Sequence, residues 1–231
     1  MGCLFCATGR NGFTRNLVAG EIVDQVLAVQ KDFGERVTNI VIMGQGEPFA
    51  NYDETIAALH IMNDPKLLNI GARHITVSTC GLIQGIQRFS EETEQLTLAV
   101  SLHAARQEVR DKIMPAVQNQ RLEALRKALE NYANCTGRRF SFEYALMQGI
   151  NDSNEDLSAL ISYCRRLLCH VNLIPLNEIA DSPVIPVTNA TVQTWKAELE
   201  AAGIAVSIRK SRGADIAGAC GQLANTYMKD C

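Results

Sequence analysis

Six short apolar runs, rich in β-branched and aromatic residues, recur along this 231-residue chain, and helix-period segments separate most of them. The runs are Val37–Met43, His74–Thr79, Leu96–His103, Arg139–Met147, His170–Leu176 and Ile204–Lys210. The stretch from Leu17 puts Ile22, Val26 and Val29 on one helical face and stops at Gly34. Further helices are predicted over Asp53–Met62, Leu122–Tyr132, a segment capped by Ser153, and Ala190–Gly203. This alternation predicts an α/β fold of parallel units, as an open sheet or a barrel. Either way the C-terminal strand ends open on one face, where active sites are built. Four such ends are polar or glycine-rich: GQGEP after Met43, Ser78–Gly81, Ser101–His103, and Asn177 after Leu176. Asp181–Asn189 reads as a loop, and Phe142 and Tyr144 as strand core.

The length suits one well-cored domain, and 47% hydrophobic residues is an ordinary globular share. A net charge of -3 makes no general case for nucleic-acid binding, although a local basic patch can still serve. No apolar run reaches the ~18 residues of a membrane span, and the N-terminus lacks the order of a signal peptide. Eight cysteines without an export signal point to a reducing cytoplasm rather than to disulfides. Cys135, Cys164 and Cys169 fall in or beside helices and read as small packing residues.

Cys3 and Cys6 have metal-ligand spacing. Alone, the pair fits half a zinc site, a thiol–disulfide couple or core packing. No strand fits before Cys3, as a redox pair at a helix start would need, and none of the four histidines has zinc-finger spacing to the pair.

CLFCATGRNGFTRNL, MGQGEP, STCG, SLHA, NLIPLN and GADIAGACGQLA together extend the argument. The set resembles the radical S-adenosylmethionine RNA methyltransferases, which methylate carbon 2 of adenine in large-subunit ribosomal RNA and some transfer RNAs. A related branch methylates carbon 8 of the same ribosomal adenine and confers antibiotic resistance. The resemblance implies a partial (β/α)6 barrel lacking its first strand, with residues 1–231 a single truncated catalytic domain and the upstream accessory domain absent. Five of the runs then match strands two to six, Ile204–Lys210 lies beyond them, and the Val37–Met43 edge is left unpaired.

The family's cluster motif is CxxxCxxC, so the resemblance makes Cys3 and Cys6 two of three ligands of a [4Fe–4S] cluster, the first falling upstream of Met1. Gly46 and Glu47 match its S-adenosylmethionine-binding pair, where a carboxylate receives the ammonium group. Ser78, Ser101, Leu102, His103 and Asn177 match further contacts to that cofactor. Cys220 matches the cysteine that is methylated by one S-adenosylmethionine and then loses a hydrogen to the 5'-deoxyadenosyl radical made from a second. The resulting carbon radical adds to adenine, and a resolving cysteine, upstream of the cluster motif in the family, releases the product. Neither Cys80 nor Cys231 is assigned that role. Implied partners are ribosomal RNA, in some members transfer RNA, and a small electron-donor protein, with no membrane. Arg10, Arg15, Arg209, Lys210 and Arg212 are candidate RNA phosphate contacts. The alternatives are the carbon-8 branch and an inactive RNA-binding fragment; the short chain by itself is expected not to turn over.

Overall fold

A computed structural model describes residues 1–6, 8–176 and 184–209. Its six strands form one parallel sheet in the order of the chain: β1 (Ile40–Ile42), β2 (Ile75–Thr79), β3 (Thr97–Ser101), β4 (Phe140–Leu146), β5 (Cys169–Pro175) and β6 (Val206–Ile208). Every neighbouring pair is parallel and the order never reverses, which excludes a doubly wound open sheet. Among the described residues β1 pairs with β2 alone, so it is an edge.

The helices are α1 (Ala19–Phe33), α2 (Tyr52–Asn63), α3 (Ile83–Phe89), α4 (Gln107–Ile113), α5 (Leu122–Thr136), α6 (Asn154–Cys164) and α7 (Asn189–Ala201). α1 ends at Gly34 in the left-handed conformation, and Ser153 caps α6 by accepting from the Asp156 amide. Two short helices, α3 and α4, have no counterpart in the sequence reading. Val29 is exposed; it is Val23, with Ile22 and Val26, that α1 turns to the core.

Alternation along the strands separates two environments. Phe140, Phe142, Tyr144 and Leu146 of β4, with Val171 and Leu173 of β5, pack under the helices and are fully buried. Each such side chain contributes about 1.5–3 kcal/mol through burial. The intervening residues, among them Ser141, Glu143, Asn172 and Ser207, turn to the other face. That face is concave. Six strands laid flat would put the outer two about 24 Å apart. Here one side chain joins them: Arg209, just past β6, brings Nη1 within 3.5 Å of Met43 Sδ, just past β1. The sheet therefore curls into a partial barrel with a polar lumen.

Cys164 and Cys169 are buried, as packing residues should be, although Cys169 lies in β5. Cys135 is exposed, because it falls on the outer face of α5. No helix among the described residues is long and apolar enough to cross a membrane.

Candidate active site

The N-terminal segment lies at the C-terminal mouth of the barrel. The Leu4 amide donates to the Ile113 carbonyl at the end of α4 (2.9 Å), and the Phe5 ring packs at a tilt of 58° against the imidazole of His103, with centroids 4.4 Å apart. Between these residues the Cys6 amide closes a turn on the Cys3 carbonyl at 3.1 Å. Both thiols are free and half-buried. Burial, with Cys6 beside it, pushes the Cys3 thiol up to about 11.

Glu47 joins two strand ends. Gly46 before it has φ of 86°, a left-handed conformation that glycine adopts without strain. The Glu47 carboxylate accepts from the Phe49 amide through Oε1 (3.0 Å) and from the Cys80 amide through Oε2 (2.6 Å). It thereby ties the turn after β1 to the end of β2, and each oxygen keeps a lone pair for a ligand. Glu47→Gln presents an amide N–H₂ to one of those donors. Its expected cost is about 1–3 kcal/mol, checked by chemical denaturation.

Beneath this turn lies Arg110 of α4, 1% exposed and absent from the sequence reading. Its Nη2 donates to the Cys80 carbonyl at 2.6 Å, and Nε has no partner. Among the described residues no carboxylate pairs with it. Burial lowers its pKa, and its charge acts on Cys3 and Cys80 in the direction that favours thiolate. Burial still dominates at Cys80, whose thiol is pushed up, with Glu47 adding to the rise.

His103 follows β3 with φ of 54°, unusual for a side-chain-bearing residue. Its Nδ1 accepts from the Ala145 amide (3.0 Å), so the ring is neutral. Asn151, fully buried and also unforeseen, donates to the carbonyls of His103 (2.6 Å) and Ala145 (2.8 Å), and accepts from the Met147 amide (2.7 Å). This clamp holds the ends of β3 and β4 in register. Ser78 and Ser101 lie on the lumen sides of β2 and β3, whereas Leu102 packs into the core beside its backbone-bonded neighbour His103.

Gly46, Glu47, Ser78, Ser101, Leu102 and His103 thus come from strand ends that share one mouth, and the Cys3–Cys6 turn packs beside them. Asn177, Lys210, Arg212, Cys220 and Cys231 lie outside the described residues, as does the side chain of Arg10. The exposed Arg15 guanidinium forms a double hydrogen bond with Glu21, at 2.6 and 2.7 Å.

Residues 1–161 match the family model described as the Radical SAM superfamily. The chain belongs to that superfamily. It is 45% identical over 230 residues to "Probable dual-specificity RNA methyltransferase RlmN" of Clostridium novyi, covering 100% of this chain and 67% of that protein. A protein of the same name from Desulforamulus reducens is 47% identical over 227 residues, 98% of this chain and 65% of its own. The crystal structure of a radical SAM methyltransferase from Sphaerobacter thermophilus superimposes with a TM-score of 0.92 at 45% identity, over 96% of this chain and 66% of that one. Within the superfamily the chain is therefore one of the RlmN-type radical SAM RNA methyltransferases, and it spans about two thirds of the length of the relatives it matches. The structure of Streptococcus suis SuiB bound to S-adenosylmethionine, at 16% identity and a TM-score of 0.66, shares the fold.

Whether this chain can hold the superfamily's cluster is a question of donors. Cys3 and Cys6 suit two positions of a three-thiolate set. Among the described residues the only triad of His, Cys, Asp or Glu ligand atoms close enough to hold one metal ion is His60, Glu92 and Glu94, and it excludes both cysteines. Among the described residues no third thiol joins Cys3 and Cys6 in such a group.

Proposed function

We propose that the barrel mouth binds S-adenosylmethionine and that the protein methylates carbon 2 of an adenine in large-subunit ribosomal RNA and in transfer RNA. The observation that carries this reading is 45% identity over 230 residues to a protein named as a dual-specificity RNA methyltransferase, aligned on a chain whose polar strand ends share one mouth. Together with a third thiolate, Cys3 and Cys6 would hold a [4Fe–4S] cluster. Such a cluster, when bound, would supply the electron for cleavage of S-adenosylmethionine.

The residues of this chain do the holding. Glu47 takes the cofactor's ammonium group on the outer lone pairs of a carboxylate that two amides already orient. Ser78 and Ser101 offer hydroxyls from the lumen wall, the neutral His103 shapes its rim with Leu102 packed behind it in the core, and Asn177 adds an amide. Cys220 carries the methyl group to the base. A small electron-donor protein docks outside the mouth, and the setting is cytoplasmic.

Mass spectrometry of nucleosides from ribosomal and transfer RNA tests this. Cells with the gene should contain 2-methyladenosine, and cells without it should lose that nucleoside from both RNAs. Loss of 8-methyladenosine instead would assign the protein to the carbon-8 branch, and loss of neither would remove both readings.

A further inference from the structure

Register sets four lumen-facing side chains in one row: Ser101 of β3 pairs with Glu143 of β4, Glu143 with Asn172 of β5, and Asn172 with Ser207 of β6. Parallel barrels normally fill such a layer with branched apolar residues, and a buried carboxylate is costly unless it is bonded. The Glu143 side chain is only 5% exposed. Its Oε1 accepts from Ser141 Oγ (3.1 Å) and Asn172 Nδ2 (2.7 Å), and Asn172 Oδ1 accepts from Ser207 Oγ (2.6 Å). Its Oε2 faces Arg209 Nη1 at 3.5 Å. The same Nη1 meets Met43 Sδ across the mouth, while Nε and Nη2 bond to nothing among the described residues.

We propose that Arg209 contacts the substrate directly, donating to a ring nitrogen of the adenine that enters the mouth, and that Glu143 is the positioning residue that orients its guanidinium. This rests on the adenine-methylation reading above. The pair is close to neutral overall, so it suits an uncharged acceptor better than a phosphate, and its place between the edge strands is a site for a base rather than a backbone. Nitrogens 1 and 3 flank carbon 2 of adenine, whereas nitrogen 7 flanks carbon 8. The nitrogen that Arg209 holds therefore selects the carbon presented to the reacting group.

The test uses the anaerobically reconstituted full-length holoenzyme with target RNAs carrying adenosine or its 1-deaza, 3-deaza or 7-deaza analogue. R209Q and R209K should lower kcat/KM on adenosine RNA by about 10- to 100-fold, the worth of a hydrogen bond from a charged donor. Affinity for S-adenosylmethionine should stay as in the wild type, and R209K, which keeps a cation beside Glu143, should melt closer to the wild type than R209Q. E143Q should act in the same direction with a smaller loss. The R209Q penalty should vanish on the 1-deaza or the 3-deaza RNA, the one lacking the acceptor. A penalty equal on all four RNAs, a change within twofold, or lost cofactor affinity would each overturn the contact alone. Absence of any methyladenine from the wild-type reaction would overturn the adenine reading and this contact with it.

Discussion

Gly85→Ala should melt several degrees below the wild type even though alanine is the better helix former. A Cβ at position 85 of α3 would stand 2.5 Å from Phe49 Cβ and 2.6 Å from its Cγ and Cδ2. Those atoms include the stem of the side chain and cannot swing aside. Phe49 is held between Tyr52 and Phe89, with ring centroids 5.5 and 5.4 Å away. Overpacking of this kind costs about 1–3 kcal/mol, against roughly 1 kcal/mol regained from helix propensity. Each net kcal/mol lowers the melting temperature by about 2–4 °C in a domain of this size. Because the Phe49 amide is one of two donors to Glu47, the displacement should also weaken binding of S-adenosylmethionine. Gly20→Ala in α1, where a Cβ meets nothing within 4 Å, is the matched control and should melt at or above the wild type. Equal melting of the two variants would contradict the packing of α3 on the Glu47 turn.

The second large effect is an acid lability centred on His103. Burial, with the Arg110 charge adding to it, lowers its pKa from 6.5 to about 3. The unfolded chain then takes up a proton below pH 6.5 that the folded chain refuses until about pH 3. Stability from this group is whole above 6.5 and falls by about 1.4 kcal/mol for each pH unit below it. His103→Asn isolates the term. Asparagine tolerates the positive φ, and its side-chain oxygen can accept from the Ala145 amide in place of Nδ1. Denaturant unfolding near pH 7.5 and pH 4.5 should show wild type losing about 2–3 kcal/mol more than the variant over that interval. Parallel losses would mean that the imidazole is protonated in the folded protein.

Much of this architecture is legible in the sequence for a physical reason. In FSFEYAL the period-2 pattern puts three aromatic rings on one face of β4, and the structure buries all three under the helices. The same pattern announces Ser141 and Glu143 on the opposite face. Their importance escapes a one-strand reading, because a carboxylate in a strand looks like a solvated one until the sheet curls around it. The apolar run Val37–Met43 is longer than the strand it forms, Ile40–Ile42, since pairing and not hydrophobicity ends a strand. Arg110 was invisible for a related reason. In QEVRDKI a charged residue is expected to face water, and only the packing of α4 beneath Cys80 reveals it as the buried cation of the site. Asn151, within MQGIND, reads as a turn residue, but its amide bonds groups 48 positions away in sequence. The sharing of one mouth by Glu47 and Ser101 follows from strand ends and needs no side-chain detail, whereas the place of the Cys3–Cys6 turn beside them is seen only in the structure.

The central claim is that this mouth uses S-adenosylmethionine to methylate adenine in RNA. Its most direct test is anaerobic reconstitution with iron and sulfide of the full-length protein and its Cys220→Ala variant. Each is incubated with reductant, ribosomal RNA and S-adenosylmethionine labelled in its methyl group, and the RNA nucleosides are then analysed by mass spectrometry. The wild type should form 5'-deoxyadenosine and place labelled carbon on carbon 2 of adenosine, and the variant should leave the RNA unlabelled. Unlabelled RNA from a wild-type protein that carries a full complement of iron and sulfide, or label at adenosine undiminished by Cys220→Ala, would contradict the account.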